Sequence, residues 1–256
     1  MGHCGGRARR RVGYQAVPLR SKVMISTVCV KNWSALMPTS VEGASPRRTR
    51  RSSNDLRNQI LAAASELFLR DGYANTSVDA VIEKVGGSKR AIYSHFGGKD
   101  DLFAAMVTSL SEAAMQAIPD AEKDAGKDVR ASLMQFARAV MQVLMDPRTV
   151  ALYRLVVSES ARMPGLAEAF LKNGSGRAAS GLAQLLERYA EAGALTIANP
   201  AEAAEHFIGM LRDDSHLRVV LGVRPPLAER ECNARVTQVV DIFLEGTSTM
   251  GRPPSR

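Results

Sequence analysis

The stretch TSVDAVIEKVGGSKRAIYSHFGGK, from Thr76 to Lys99, decides the fold because it predicts two short helices joined by a tight turn. Thr76 is a candidate N-cap with Asp79 three residues later, a variant of the capping box. The first helix must then end at Gly86-Gly87, because glycine adopts the positive φ that a three- or four-residue interhelical turn needs.

The second helix is expected to run from Lys89 to His95, with Ser88 supplying the capping oxygen. Ile92 and Phe96 are four residues apart and can face a core. The side chains left to face outward are Lys89, Arg90, Tyr93 and Ser94. Lys and Arg donate to guanine O6 and N7 in the major groove, so the pattern favours a helix-turn-helix that binds double-stranded DNA. Two short core helices bearing solvated basic residues are the alternative.

The same region resembles the DNA-binding domain of TetR/AcrR-family regulators. The helix Arg57 to Gly72, RNQILAAASELFLRDG, has the opening-helix pattern of that family, and the later family motifs follow in order and spacing. These motifs are Gly86-x-Ser88-Lys89, Ile92-Tyr93-x-x-Phe96 and Lys99-x-x-Leu102. The resemblance covers Asp55 to Val107, and Gly87 and Ile82 depart from the usual family residues.

By match to the family motif, Lys89, Arg90 and Tyr93 are candidates for base contacts, and Tyr93 is also a candidate for phosphate. The full set of candidate DNA-binding residues is Ser77, Ser88, Lys89, Arg90, Tyr93, His95 and Lys99. His95 has the alternative of a surface residue at a helix end, and Lys99 that of a solvated residue.

The segments Arg154 to Phe170 and His206 to Gly222 resemble the ligand-binding half of AefR-like members. The resemblance implies an all-α homodimer that represses a nearby promoter and releases DNA when a small-molecule effector enters the C-terminal domain. Expected domains are a disordered basic extension (1–52), a helix-turn-helix domain (53–100), a helical effector and dimerisation domain (101–249) and a tail (250–256).

Charge is concentrated in the N-terminal extension. Residues 1–54 hold eleven Lys/Arg and one acidic residue, a net charge of +10, whereas residues 55–256 have a net charge of −2. The high pI is therefore poor evidence for DNA binding by the folded part. The extension predicts a flexible arm along phosphates or in the minor groove. The alternatives are a solvated tail, or sequence upstream of a later start at Met24 or Met37.

Helical periodicity continues after Lys99. Asp100 to Ile118 predicts a linking helix, and Asp146-Pro147 predicts the end of one helix and the capped start of the next. Breaks at Met163-Pro164, 173–176 and Asn199-Pro200 divide the rest, giving about six helices. One is expected from Pro200 to about Gly222, and a last one carries Val236, Val240, Phe243 and Leu244. Their apolar stripes favour a two-fold dimer, the alternative being burial within one monomer.

Large, adaptable side chains in this half are candidates to surround a ligand. They are Met134, Phe136, Met141, Tyr153, Phe170, Phe207 and Met210, and Met163 is a further side chain of this kind. Plain core packing is the alternative for each. Candidates to orient the ligand are His206, Arg154, Glu159, Asp213 and Asp214, and solvated faces or satisfied ion pairs are the alternative favoured for most of them. We expect an apolar or amphipathic effector.

Other function classes find little support. The histidines and the three cysteines show no metal-ligand spacing, and neither a nucleophile elbow nor a phosphate-binding loop is present, so neither an enzyme nor a cofactor is predicted. No stretch approaches a membrane span. The three cysteines give no disulfide framework, so a reducing cytoplasm is the expected compartment. A helical protein-interaction module that has kept the fold without binding DNA remains the alternative function.

Overall fold

The computed structural model describes residues 53–118 and 128–249. Within these ranges it contains eleven helices and no strand, which confirms the predicted all-α class. The helices are α1 Ser53–Asn75, α2 Val78–Val85, α3 Lys89–Phe96, α4 Lys99–Met115, α5 Val129–Met145, α6 Pro147–Glu159, α7 Leu166–Asn173, α8 Ser175–Glu191, α9 Pro200–Leu211, α10 Asp214–Val220 and α11 Glu229–Thr249. None of these helices is long and apolar enough to cross a membrane. The predicted extension and tail lie outside the described residues.

The start of α2 differs from the sequence prediction. Ser77, and not Thr76, is the N-cap, and its side chain accepts a hydrogen bond from the backbone N–H of Ala80 at 3.0 Å. Thr76 is buried and donates its hydroxyl to the carbonyl of Gly72 at 2.8 Å. Gly72 has a φ of 80° and interrupts α1. The helix begins four residues before and ends three residues after the predicted bounds. The Thr76 hydroxyl is therefore used at the break, and the next residue takes over the capping role.

The turn between α2 and α3 follows the prediction in its glycine. Gly86 has φ of 70°, and its N–H donates to the carbonyl of Ile82 at 2.8 Å, which closes α2. Ser88 occupies the N-cap of α3, but its side chain makes no capping hydrogen bond, so that part of the prediction is wrong. Its carbonyl instead accepts from the N–H of Ala91 at 2.9 Å. The Ser88 hydroxyl is therefore left exposed to solvent.

A hydrophobic cluster beneath α3 fixes its orientation. Ile92 and Phe96 are 1% and 8% exposed and pack in the cluster that contains Phe68 of α1 and Phe103 of α4, whose rings meet edge to face at 5.1 Å. Leu155 of α6 belongs to the same cluster. The helix-turn-helix therefore shares a core with a helix of the C-terminal half. Burial of these apolar side chains is what holds so short a helix in place.

A second hydrophobic cluster joins α5, α8, α9 and α11. Phe207 of α9 is fully buried, and its ring meets that of Phe243 of α11 edge to face at 5.1 Å. Val236 and Val240 are also fully buried, so the apolar stripe of the last helix that was expected to face a second copy is buried within one monomer. The capped start at Asp146 is confirmed as well, since its side chain accepts from the backbone N–H groups at 148 and 149.

The helix expected from Pro200 to Gly222 is two helices in the structure. α9 ends at Leu211, and Asp213 caps α10 by accepting from the N–H of Ser215 at 2.9 Å. An acidic N-cap stabilises a new start and so competes with continuing the first helix. Within the described residues seven helices therefore follow α4 instead of about six. α4 itself begins one residue before and ends three residues before the predicted bounds.

Candidate DNA-reading surface and effector cavity

The outer face of α3 carries the candidate base contacts. Lys89, Arg90 and Ser94 are exposed, and the Tyr93 side chain is 54% exposed although it is large and aromatic. Ile92, between them in sequence, is buried because α3 places it on the opposite side. We name the exposed side chains of Lys89, Arg90, Tyr93 and Ser94 the α3 face. The face presents two cations and one aromatic ring, which suits base edges and phosphates in a major groove.

The two cations of the α3 face differ in their surroundings. The Lys89 ammonium pairs with the carboxylate of Asp79 on α2 at 2.8 Å, and the hydrogen bond to that carboxylate raises the pKa of Lys89. Among the residues that the structure describes, the Arg90 guanidinium has no hydrogen-bond or ion-pair partner. Arg90 is therefore ready to bind, whereas Lys89 must exchange Asp79 for DNA.

Three further candidates lie at helix ends around the α3 face. Ser77 and Ser88 are the exposed N-caps of α2 and α3, where free backbone N–H groups suit a phosphate oxygen. His95 is half-buried near the C-terminal end of α3, with its ring centroid 6.2 Å from that of Phe96. The structure thus places these residues beside the base-contact candidates.

Lys99 belongs to a cluster that joins both halves of the chain. Its ammonium lies 4.2 Å from the ring centroid of Tyr73, and the guanidinium of Arg162 lies at the same distance from that ring. The Tyr73 hydroxyl donates to Asp100, which also pairs with Arg162 at 3.4 Å. The hydrogen bond from Tyr73 lowers the pKa of Asp100. We name Tyr73, Lys99, Asp100 and Arg162 the Tyr73 cluster.

The Tyr73 cluster was not predicted from sequence. Nothing local to Tyr73 indicates Arg162, which lies 89 residues later. The pairing depends on how α6 packs against α1 and α4. Cation–π contacts at exposed positions contribute about 0.5–1 kcal/mol each.

A cavity of about 70 Å³ lies in the C-terminal half and is lined by residues of the seven helices from α4 to α10. Of the seven candidate ligand residues, Tyr153 and Phe170 line it, and their rings meet edge to face at 5.8 Å. The other five do not line it and pack in or against the second hydrophobic cluster. They are Met134, Phe136, Met141, Phe207 and Met210. Met163 packs against the cluster beneath α3.

The polar candidates for orienting a ligand have other roles in the structure. Arg154 donates to the carbonyl oxygens at the end of α10, Glu159 pairs with Arg162, and His206 lies on the surface near Glu202. Asp213 pairs with Arg235, and Asp214 with Arg218.

Two polar residues that sequence reasoning missed line the cavity. Arg212 lines it at the break between α9 and α10, and His216 lines it from α10. His216 is 5% exposed, and burial, followed by the positive charge of Arg212, lowers its pKa, while Asp213 opposes this. His216 is therefore neutral at neutral pH. The only sequence signal was Asp213-Asp214 before an apolar run, a helix start that would have divided the predicted helix.

The cavity and the α3 face are connected by α4. Leu102 and Phe103 near its start pack in the cluster beneath α3, and Ser111, Ala114 and Met115 near its end line the cavity. A ligand that displaced α4 would therefore change the packing both in the cavity wall and in the cluster beneath α3. No group of three metal-binding side chains occurs in the described ranges.

Comparison with known protein families agrees with this architecture. Residues 60–106 match the family described as "Bacterial regulatory proteins, tetR family", and residues 131–246 match "AefR-like transcriptional repressor, C-terminal domain". The chain belongs to the TetR family. Its C-terminal domain is AefR-like, and TetR-family regulators act in transcription and are not enzymes.

Individual TetR-family proteins extend the comparison. A putative TetR-family regulator from Mesorhizobium loti MAFF303099 is 27% identical with a TM-score of 0.72, covering 76% of this chain and 98% of its own. The flavonoid-responsive regulator FrrA is 30% identical with a TM-score of 0.65, covering 75% and 97%. The transcriptional regulator TcmR from Streptomyces glaucescens is 28% identical over 134 residues, 51% of this chain. The match spans 57% of TcmR, so the chain corresponds to little over half of that relative.

Proposed function

We propose that this TetR-family protein is a cytoplasmic, dimeric repressor that binds a near-palindromic operator and releases it when a small apolar or amphipathic effector enters the cavity. The observation that carries the proposal is the single helix α4, which reaches from the core beneath α3 to the cavity wall. A ligand that fits only one position of α4 biases the position of α3.

The proposed DNA contacts divide into reading and positioning. Arg90 and Lys89 read base edges, and Tyr93 contacts a thymine methyl group or a phosphate. The positioning contacts to the phosphate backbone are Ser77, Ser88, His95 and Lys99. We take 53–100 as the DNA-binding domain and 101–249 as the effector and dimerisation domain, although α6 contributes to the core of the first.

A two-fold dimer through α10 and α11 is supported by their exposed apolar side chains. Leu217 of α10 is 51% exposed, and Leu221, just after α10, is 67% exposed. Ile242 of α11 is 51% exposed. The ion pair between Arg235 and Asp213 holds the two helices side by side. A second copy would cover these side chains and place two α3 helices in successive major grooves.

Dimerisation is tested with Leu221→Glu, which places a charge in the proposed interface, and Leu171→Glu as the matched control on α7, where the leucine is 48% exposed. Sedimentation should show a dimer for the native chain and the control, and a monomer for Leu221→Glu. Monomers in all three proteins, or dimers in all three, would contradict this interface.

The regulatory proposal draws support from the likeness to FrrA, whose name describes a response to flavonoids. Selection of bound fragments from a genomic pool identifies the operator, and calorimetry then measures effector affinity with and without it. Thermodynamic reciprocity requires the operator to weaken effector binding by the same factor by which the effector weakens operator binding. Equal effector affinity in both states would refute release through α4. A protein that selects no DNA at all would instead be an interaction module.

A further inference from the structure

Of the described residues that line the cavity, Arg212 is the charged one, and most of the others are apolar. Most of its surface comes from side chains such as Met115, Val140 and Leu152, whereas Arg212 also lines it, with its positive charge close enough to His216 to lower the pKa of that residue. We propose that the effector of this protein is an anionic amphiphile whose carboxylate or phenolate binds Arg212 and whose apolar body lies against α4, α5 and α6. The inference rests on the proposed function and gives the chemical class of its ligand.

The charge of Arg212 is not neutralised by its neighbours. Within the described residues its guanidinium has no hydrogen-bond or ion-pair partner. The two acids that follow it in sequence are both engaged, because Asp213 pairs with Arg235 at 2.7 Å and Asp214 pairs with Arg218. An anion bound in the cavity would therefore supply the missing counter-charge, and hydrogen bonds between charged groups are stronger than neutral ones.

The groups beside Arg212 suit the same head group. His216 lies within the cavity wall and is neutral, so one ring nitrogen can donate to a carboxylate oxygen. The Tyr153 ring meets the His216 ring edge to face at 5.6 Å, which orients the imidazole. Among the residues that the structure describes, no acidic side chain lines the cavity. The cavity therefore offers donors and positive charge to a bound anion.

The size of the cavity limits the apolar body and explains how binding can move α4. A volume of about 70 Å³ corresponds to roughly five water molecules at 10–15 Å³ each. A single ring or a chain of several carbons approaches this limit. A larger body must displace a wall, and Ser111, Ala114 and Met115 of α4 are part of that wall.

The test compares acids with their neutral alcohols. Calorimetry measures the affinity of the full chain for octanoate and 1-octanol, and for cinnamate and cinnamyl alcohol. We expect at least one acid to bind at least tenfold more tightly than its alcohol, a difference of about 1.4 kcal/mol. Arg212→Gln should abolish that preference, and Arg212→Lys, which keeps the charge, should retain most of it.

Arg177→Gln is the matched control. Arg177 is exposed on α8 between the cavity-lining residues Ser175 and Ala178 but does not itself line the cavity, so its loss should leave the preference intact. Failure of both acids to bind, equal binding of acid and alcohol, or an unchanged preference in a folded Arg212→Gln variant would overturn the anionic class. Operator binding, measured separately, is expected to survive in Arg212→Gln, so loss of the anion preference and loss of the proposed function are distinguishable.

Discussion

Replacement of Arg90 by Ala should change which DNA sequences the protein prefers while leaving its fold intact. Arg90 is exposed at the second residue of α3 and has no partner among the described residues, so its removal breaks no contact within them. A bidentate contact from Arg to guanine contributes about 1–3 kcal/mol of discrimination. A dimer places one Arg90 on each half-site. With additive effects, the binding free energy for the operator weakens by about 2–6 kcal/mol, which lowers the affinity by roughly 30-fold to 20,000-fold.

Lys99→Ala provides the contrast. A lysine that contacts phosphate contributes equally to all sequences, so its loss should weaken every site alike and reduce the salt dependence of binding. The variant also loses the contact with the Tyr73 ring, which at an exposed site contributes about 0.5–1 kcal/mol to stability. Its melting temperature should therefore fall slightly, whereas that of Arg90→Ala should not.

Fluorescence anisotropy on the operator and on a complete set of its single-base variants measures both profiles. Arg90→Ala should flatten the preference at one position in each half-site, and Lys99→Ala should lower all affinities by one factor. Arg177→Ala, a change on the exposed side of α8, serves as a control that should match the native chain. A uniform loss in both variants would refute the division into reading and positioning residues.

Asp79→Asn should tighten binding to all DNA, since it frees the Lys89 ammonium and removes a negative charge near the phosphates; weaker binding would show that the ion pair at 2.8 Å positions Lys89 for contact. Phe207→Ala should cost about 3–5 kcal/mol of unfolding free energy in denaturant titration, because the side chain is fully buried; a cost below 1 kcal/mol would contradict its packing. Burial and the charge of Arg212 lower the pKa of His216, so the unfolded chain binds its proton more readily, and stability should be fully present above about pH 6.5 and fall as pH drops below it. A His216→Phe variant should lose that part of the pH dependence of the melting temperature, and an unchanged profile would contradict the assignment.

Much of the helix-turn-helix was predictable because its signals are local. The turn between α2 and α3 needs a positive φ at position 86, and this favours glycine there. The spacing of Ile92 and Phe96 defines the buried side of α3 without reference to any other element. The predicted N-cap of α2, Thr76, was wrong by one residue, since Ser77 is the N-cap. Two adjacent hydroxyl residues compete for the cap, and the break at Gly72 supplied a carbonyl that engages the first of them.

The effector cavity was much less predictable. A methionine or phenylalanine at helical spacing is apolar whether it fills a core or lines a void, so periodicity alone does not separate Phe207 from Phe170. The difference depends on the positions of seven helices relative to one another. Arg212 and His216 were not predicted as cavity residues for a related reason. Asp213 starts a new helix within the predicted one, and this changes the direction of the chain on which both residues lie.

The sequence by itself determined the all-α class, the helix-turn-helix and the resemblance to the TetR family, because these depend on capping, turn residues and periodicity within short stretches of chain. Only the tertiary structure decided that Arg162 meets Tyr73, that Phe170 lines the cavity while Phe207 packs in the core, and that Arg212 and His216 line the cavity together. Those contacts join residues far apart in sequence, and their geometry is set by how whole helices pack, which no local pattern encodes.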